Sequence, residues 1–423
     1  MEVKLAYGRR GLKVNFPDDA EIIRPHFPAA LPDEERGLRE ALYNPIAGRP
    51  LHGIVRAGDR VVVVHTDITR ATPNRTILPV LLDDLERAGV RREDITLLNG
   101  LGTHRPQSEV ELRLLLGDVI VERYRCLQHD CNDDRSLVSL GKTSFGHPVR
   151  INRIYMEADV KILTGFIEPH FFAGFSGGPK AVLPSLAGAE SVFSNHGYAM
   201  IAHPQATWGV TDGNPIWEEM REVALKTEPD FLLNVTLNER QAITGIFSGE
   251  MLASHRAGCA LVKETAIVPV KEAYDVVVTS NSGYPLDQNL YQAVKGMSAA
   301  VRIVRRDGAI LMAAACEDGL PDHGLYADLL RQAASPEKVL EIVAAPGYEA
   351  QDQWQVQIQA QIQKHAEVYV HADGLSKAQI EAALFHPCDD VEQTLTHLRN
   401  TYGPRICILP DGPQTIPTLV NRN

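Results

Sequence analysis

Residues 60–89 read RVVVVHTDITRATPNRTILPVLLDDLERAG. Four consecutive valines between polar neighbours predict a strand, Arg60–His65. Asp67–Pro73 has no apolar period, so the chain leaves the sheet there. From Thr76 the isoleucine and leucines recur at helical spacing, and the run stops at Gly89, the residue that most easily takes the conformation that ends a helix. The same order returns as a strand at Ile95–Asn99, a loop at Gly100–Pro106 and a helix at Ser108–Leu116. Val160–Leu163 is a third strand, with a long glycine-rich loop after it. Asp275–Thr279 is a fourth, leading through Asn281–Gln288 into a helix that includes Lys295. Further strands are expected near Ile310, Val368 and Ile406. Strands that alternate with helices in this way predict an α/β chain whose sheets are mainly parallel and flanked by helices.

A chain of 423 residues is long for one core, at about 150 residues per domain. Pro269 and the flanking charges of ETAIVPVKEAYD (Glu264–Asp275) mark the expected break, giving domains 1–265 and 266–423. The closing stretch PDGPQTIPTL carries three prolines, so the tail from about residue 408 is expected to run extended and to pack back on the first domain. The net charge of −12 opposes non-specific binding to nucleic acid or an anionic membrane, so an anionic ligand must be caught by a local basic site. No apolar run approaches the roughly 18 residues of a membrane span, and the first residues lack the core of a signal peptide. Six cysteines without a CxxC fit a reducing, cytoplasmic setting. Cys126 and Cys131 flank His129 but fall short of a zinc set.

In open α/β sheets ligands sit beyond the carboxyl ends of the strands, and the unusual residues of this chain fall in such loops. In HTDITRATPN (His65–Asn74), Asp67 and Thr69 suit local turns, and Arg70 offers a planar fork to a carboxylate or phosphate. In GLGTHRP (Gly100–Pro106), His104 stands just before a helix, where a histidine can act as a general base. GFIEPHFFAGFSGGPK (Gly165–Lys180) sets Glu168, His170, Ser176 and Lys180 among Gly174, Gly177, Gly178 and four phenylalanines. A loop so apolar and so glycine-rich is costly unless it lines a site. It is not a phosphate loop of the nucleotide-hydrolase kind, because Ala181 follows Lys180 where Ser or Thr would bind magnesium. His196, in SNHG, is one borderline ligand for nickel, copper or zinc, too few to hold a metal without further donors. Gln292 and Lys295 lie three apart on one helix, able to grip a small anion together.

In order along the chain, HTDITRATP, GLGTHRP, GFIEPHFFAGFSGGPKAVLP, SNHG, GYPLDQNLYQAVKGM and, more loosely, DQW (Asp352–Trp354) resemble the nickel-dependent lactate racemase family. The resemblance spans about residues 60–355 and both expected domains. It implies a racemase or epimerase that inverts C2 of a 2-hydroxy acid, lactate first, with its active site in the cleft between the domains. The implied cofactor is a nickel-pincer nucleotide (pyridinium-3-thioamide-5-thiocarboxylic acid mononucleotide carrying nickel), tethered through Lys180, with His196 as the protein's nickel ligand. His104 and His170 are then the paired acid/base residues. Arg70, Gln292 and Lys295 receive the substrate carboxylate, and Trp354 lines the pocket. Asp67, Thr69, Gly174, Ser176, Gly177 and Gly178 face the cofactor. Hydride transfer to and from the cofactor through a 2-keto acid spares the enzyme a carbanion beside a carboxylate. Cofactor-building and nickel-inserting enzymes are the implied transient partners.

The substrate side chain is less legible. Malate, larger 2-hydroxy acids and sugar acids fit the same machinery, with Arg105 and Arg153 as candidates for a second carboxylate. Two readings of other kinds compete: a zinc hydrolase built on His104, His170 and His196, and a non-catalytic anion-binding clamp.

Overall fold

The computed structural model describes residues 1–321 and 324–420. The chain divides into two compact units. The first comprises Phe27–His196 and Pro204–Glu264; the second comprises Met1–His26, Gly197–His203 and the residues from Thr265 onward.

The first unit is organised by a six-stranded sheet in the order Ile243–Gly249, Phe231–Leu237, Val160–Phe166, Val61–Thr66, Ile95–Gly100, Arg125–Gln128. All neighbours are parallel except the edge strand Ile243–Gly249, which returns antiparallel. Val61 to Val64 are at most 1% exposed, the continuous burial that the four valines require. The helix Asn74–Arg87 lays Ile77, Leu78, Leu81, Leu82 and Leu85 against this sheet, in one cluster with Val61, Val63, Ile95, Leu97 and Ile162. The next helix, Glu109–Leu116, starts at Ser108, whose side chain and that of Glu111 cap each other's backbone amides.

The second unit holds a six-stranded sheet that is parallel throughout: His386–Pro387, Ala366–His371, Val304–Ala313, Tyr274–Ser280, Ile406–Leu409, Glu21–Ile22. The fold class is therefore as expected, α/β with two mainly parallel sheets. Two segments lie elsewhere than the sequence suggests. Residues 1–26, expected with the first domain, belong to the second unit: the hairpin of Glu2–Leu5 with Leu12–Asn15 buries Val3, Leu5, Val14 and Phe16 against Val276, Val278, Leu311 and Ile408, and Glu21–Ile22 extends the sheet beside Ile406–Leu409. The closing segment, expected against the first domain, is bonded within the second unit, where the Ala6 amide donates to the Pro410 carbonyl and Arg24 pairs with Asp411. Ile416–Leu419 pairs in parallel with Ile267–Val270 of its own unit, because Pro417 and Pro269 tolerate a two-stranded ribbon that a central strand would not. The break in the chain falls at Glu264/Thr265, in the last turn of the helix Met251–Ala266. Among the described residues no helix is long and apolar enough to cross a membrane.

The first unit's core makes a direct prediction. Leu81 is fully buried between helix and sheet, so Leu81→Ala should lower the stability of that unit by about 2–5 kcal/mol. Urea unfolding followed by tryptophan fluorescence measures this, since Trp208 and Trp217 both report from that unit. A loss under about 1 kcal/mol would mean that the helix is not what closes the core.

Candidate active site

In the first sheet the strand order reverses between Val61–Thr66 and Val160–Phe166: the chain runs outward from the former through two neighbours, then returns to its other side. In open α/β sheets such a switch point, beyond the carboxyl ends of the strands, is where ligands bind. Three loops of the first unit meet in this neighbourhood.

The first follows Thr66. The Asp67 side chain turns back on its own loop: Oδ1 accepts the Thr69 amide at 3.0 Å and the Thr69 hydroxyl at 2.7 Å. Its Oδ2 is hydrogen-bonded to His104 Nδ1. Burial alone would raise the Asp67 carboxyl, but the charge and hydrogen bond of His104, the charge of Arg70 and the Thr69 hydroxyl outweigh it and hold the group well below the usual carboxylate range. The carboxylate can only accept, so Nδ1 carries the hydrogen and a neutral His104 keeps its lone pair on Nε2. Around this loop Thr66 Oγ1, Thr72 Oγ1, Asn74 Oδ1 and His65 Nε2 are buried without a hydrogen-bond partner among the described residues. Burial holds the His65 imidazole down at about 4, so that ring is neutral at pH 7.

The second loop carries His104. The Gly102 amide donates to the Ser185 carbonyl at 3.0 Å and the Ser185 hydroxyl donates to the Lys180 carbonyl at 2.8 Å, which ties the histidine's loop to the turn that bears Lys180. Arg105 is paired with Glu111 (2.6 and 2.9 Å), and Arg153 is bonded to the carbonyls of Arg135 and Leu137. Both candidates for a second carboxylate are thus engaged in structural contacts.

The third loop leaves Phe166. Pro169–His170 pairs with Gly174–Phe175, and Ser176 closes the hairpin, its hydroxyl donating to the Phe166 carbonyl and accepting the Glu168 amide, both at 2.9 Å. Ser176, expected to face the cofactor, thus has its hydroxyl engaged within the loop. His170 Nδ1 accepts the Ala173 amide at 3.2 Å, so its neutral ring carries the proton on Nε2. The Phe172 ring sits edge-on between two histidines, 4.6 Å from His170 and 4.9 Å from His196. Gly177 and Gly178 have φ of +74° and +52°, and a Cβ there would stand 2.5 Å from Asn234 Oδ1 and from the His255 ring respectively. The backbone therefore passes directly over those side chains; the Gly178 amide donates to Asn234 Oδ1 at 2.9 Å, and the Ser176 carbonyl is hydrogen-bonded to His255 Nε2 at 2.9 Å. Burial lowers His255 to about 4, so its ring is neutral and Nε2 is the donor. Lys180 follows in a short turn, Gly178–Ala181. His196 is buried, and its pKa is pushed well below the ordinary value first by that burial and then by the charge of Lys180, which places the lysine in its neighbourhood.

The structure thus joins Asp67 to His104, and groups His170, Phe172, His196 and Lys180. Sequence reasoning missed Asn234 and His255, which support the glycine turn. Asn234 left a trace, a polar residue within the buried strand FLLNVTL. In the second unit, Gln292 opens the helix Leu290–Ala300 beneath the cap of Asn289, and its buried Oε1 has no partner among the described residues. Lys295 lies one turn further on and is half-buried. Trp354 is buried, with Nε1 donating to the Tyr291 hydroxyl at 2.9 Å.

The zinc reading loses its ligands. Among the described residues no three His, Cys, Asp or Glu are grouped to hold a metal ion, so His104, His170 and His196 do not form a zinc set. His129 is likewise structural, bonded through Nε2 to the Ala187 carbonyl and through Nδ1 to Asn152.

Comparison with known proteins identifies the family. Residues 7–209 match the family model of the lactate racemase N-terminal domain, and residues 270–416 that of the lactate racemase C-terminal domain. A lactate racemase of Thermoanaerobacterium thermosaccharolyticum is 33% identical over 422 residues, 98% of each chain, and one of Lactiplantibacillus plantarum is 35% identical over 382 residues, 90% of each. The structure of the lactate racemase apoprotein from T. thermosaccharolyticum superposes with a TM-score of 0.91 at 32% identity, covering 99% of this chain and all of the other. A Thermotoga maritima protein shares the fold alone, with a TM-score of 0.72 at 18% identity over 94% of this chain and all of the other. The chain belongs to the lactate racemase family and is an isomerase of the racemase class.

Proposed function

We propose that the protein interconverts the enantiomers of lactate, using a lysine-tethered nickel-pincer nucleotide. The observation that carries this reading is the Asp67–His104 pair, which leaves the lone pair of a neutral His104 on Nε2, together with His170, whose neutral ring bears its proton on Nε2. Lactate is favoured over malate by the names of both curated relatives and by the engagement of Arg105 and Arg153. Larger 2-hydroxy acids and sugar acids are the alternatives within the same chemistry.

The residues present suit the cofactor. Among the described residues the buried hydroxyls of Thr66 and Thr72, Asn74 Oδ1 and His65 Nε2 have no partner; the two hydroxyls can donate to a nucleotide's phosphate, and the two acceptors suit ribose hydroxyls. Lys180, close to His196, would carry the tether, and His196 the nickel bond; a neutral imidazole is the form that ligates metal. Asp67, Thr69, Gly174, Ser176, Gly177 and Gly178 keep their proposed place around the cofactor. When bound, the group supplies an acceptor for the C2 hydrogen as hydride, so the substrate passes through a planar 2-keto acid.

The remaining work falls to side chains. Arg70 offers the carboxylate a bidentate contact, and Gln292, Lys295 and Trp354 remain the proposed substrate residues of the second unit. His104 takes the hydroxyl proton at Nε2, with Asp67 stabilising the imidazolium that results. His170 donates a hydrogen bond to the oxygen. To act as the base for the other enantiomer, His170 must release its Ala173 contact, since a ring that accepts at Nδ1 keeps its proton on Nε2. The four phenylalanines of the loop are buried or nearly so and keep water from the keto acid. Enzymes that build the cofactor and insert nickel are the expected transient partners.

Protein produced together with those enzymes should convert either enantiomer of lactate deuterated at C2 into an equal mixture with most of the deuterium retained, read by chiral chromatography and mass spectrometry. Racemisation of malate and not lactate would overturn the substrate, and complete washout of the label would overturn hydride transfer. Intact mass on the same preparation should show an organic adduct that disappears in Lys180→Ala; an adduct that persists there would overturn the tether. Asp67→Asn should lower turnover by about 10⁴-fold, as in other Asp–His pairs. Thr69 offers two donors to Oδ1, so the new amide nitrogen must face His104 and force the proton onto Nε2. Turnover within tenfold of the parent would show that this pair does not set the base.

A further inference from the structure

His196 is preceded by a side chain whose orientation is dictated from below. Asn195, fully buried at the end of the helix Ala189–Asn195, directs Nδ2 to two acceptors: the Ile216 carbonyl at 3.2 Å and Glu219 Oε2 at 2.8 Å. The Ile216 carbonyl can only accept, so this end of the amide must be the nitrogen. The other end, Oδ1, then faces His196 Nδ1 at 2.9 Å. An amide oxygen can only accept, so Nδ1 is the protonated nitrogen and the lone pair of the neutral ring lies on Nε2.

Glu219 is itself held. It is 1% exposed on the helix Pro215–Lys226, and its Oε1 accepts the Thr143 hydroxyl at 2.6 Å and bonds to His147 Nδ1 at 2.9 Å. Both partners come from the turn that joins Leu137–Lys142 to Pro148–Asn152. A carboxylate buried this deeply is expensive unless its lone pairs are filled, and here three side chains fill them. Three elements distant in sequence thus converge on one amide.

We propose that Asn195 and Glu219 are positioning residues that select the tautomer of His196, presenting Nε2 as its electron-pair donor. The metal consequence rests on the reading of His196 as the nickel ligand; the tautomer itself does not. Outer-shell partners of ligating histidines are commonly worth about 10- to 100-fold in metal affinity.

The test uses apoprotein with ¹⁵N-labelled histidine, read by long-range ¹H–¹⁵N correlation, with the His196 signals assigned by their loss in His196→Gln. The parent should show the Nδ1–H pattern. Asn195→Leu, similar in size and without polar atoms, should shift His196 toward the Nε2–H form. Glu219→Gln should keep the parent pattern, because its amide oxygen can face Asn195 while its nitrogen faces Thr143 and His147. A second measurement is nickel per chain in protein made with the cofactor enzymes: Asn195→Leu should fall about tenfold or more, and Glu219→Gln should remain near the parent. An Nε2–H pattern in the parent, or an unchanged pattern in a folded Asn195→Leu, would overturn the proposal. If Asn195→Leu does not fold, Asn195→Ala takes its place, with the same shift expected and an unchanged tautomer again overturning the proposal. A parent with the Nδ1–H pattern and no nickel would overturn the metal reading of His196 while supporting the tautomer device.

Discussion

Val61–Val64 lie beside Val160–Leu163 in parallel register, and the chemistry of the first unit depends on that pairing. Strands joined through two successive right-handed crossovers progress in one direction across a sheet; a strand that returns to the far side of the first one reverses that progress. The loops after Thr66 and Phe166 must then part, because their connections leave to opposite sides. Asp67 stands at the start of one, His170 and Lys180 in the other. The neighbouring strand Ile95–Gly100 delivers His104 beside them. Burying four valines on both faces is therefore what sets loops about a hundred positions apart in sequence at the ends of adjacent strands.

Much of this was legible in the residues. The four valines, the leucine period and Gly89 mark strand, helix and stop because each reflects a local preference that the tertiary structure does not oppose. The observed strand and helix differ from the reading by one or two residues at their ends. What the sequence did not show were contacts between distant segments. The burial of residues 1–26 in the second unit rests on a short hairpin whose apolar face, Val3, Leu5, Val14 and Phe16, has no period long enough to name its partner. The ribbon formed by Ile416–Leu419 is a pairing across about 150 residues, and nothing local to either strand specifies it.

The site divides in the same way. His104, His170, Lys180 and His196 stood out because glycines and phenylalanines around them are hard to justify in an ordinary loop. Asp67 was noticed for its own turn, and its more consequential contact, with His104, depends on two loops meeting. Asn234 and His255 looked like any buried strand or helix residue. Their function is visible only once Gly177 and Gly178 are seen to cross over them at distances that exclude a side chain. Backbone that passes so close can be held by a buried amide and an imidazole without any contribution from the loop's own side chains, which are then available for chemistry.

The three histidines share one further constraint. An imidazole is ambiguous, since either nitrogen can hold the proton, and only its partners decide which side accepts and which donates. The structure resolves each ring with a partner that has no such ambiguity. Asp67 can only accept, so His104 is protonated at Nδ1. The Ala173 amide can only donate, so His170 is protonated at Nε2. His196 faces an amide that could present either end, and the extra layer there, Ile216 and Glu219, removes that freedom. The number of buried polar groups committed to each ring thus follows from the chemistry of its neighbour: an acceptor-only or donor-only partner needs no support to specify a tautomer, whereas an amide needs acceptors of its own. On this argument Glu219 is buried for the orientation it imposes, and its charge is incidental to that task.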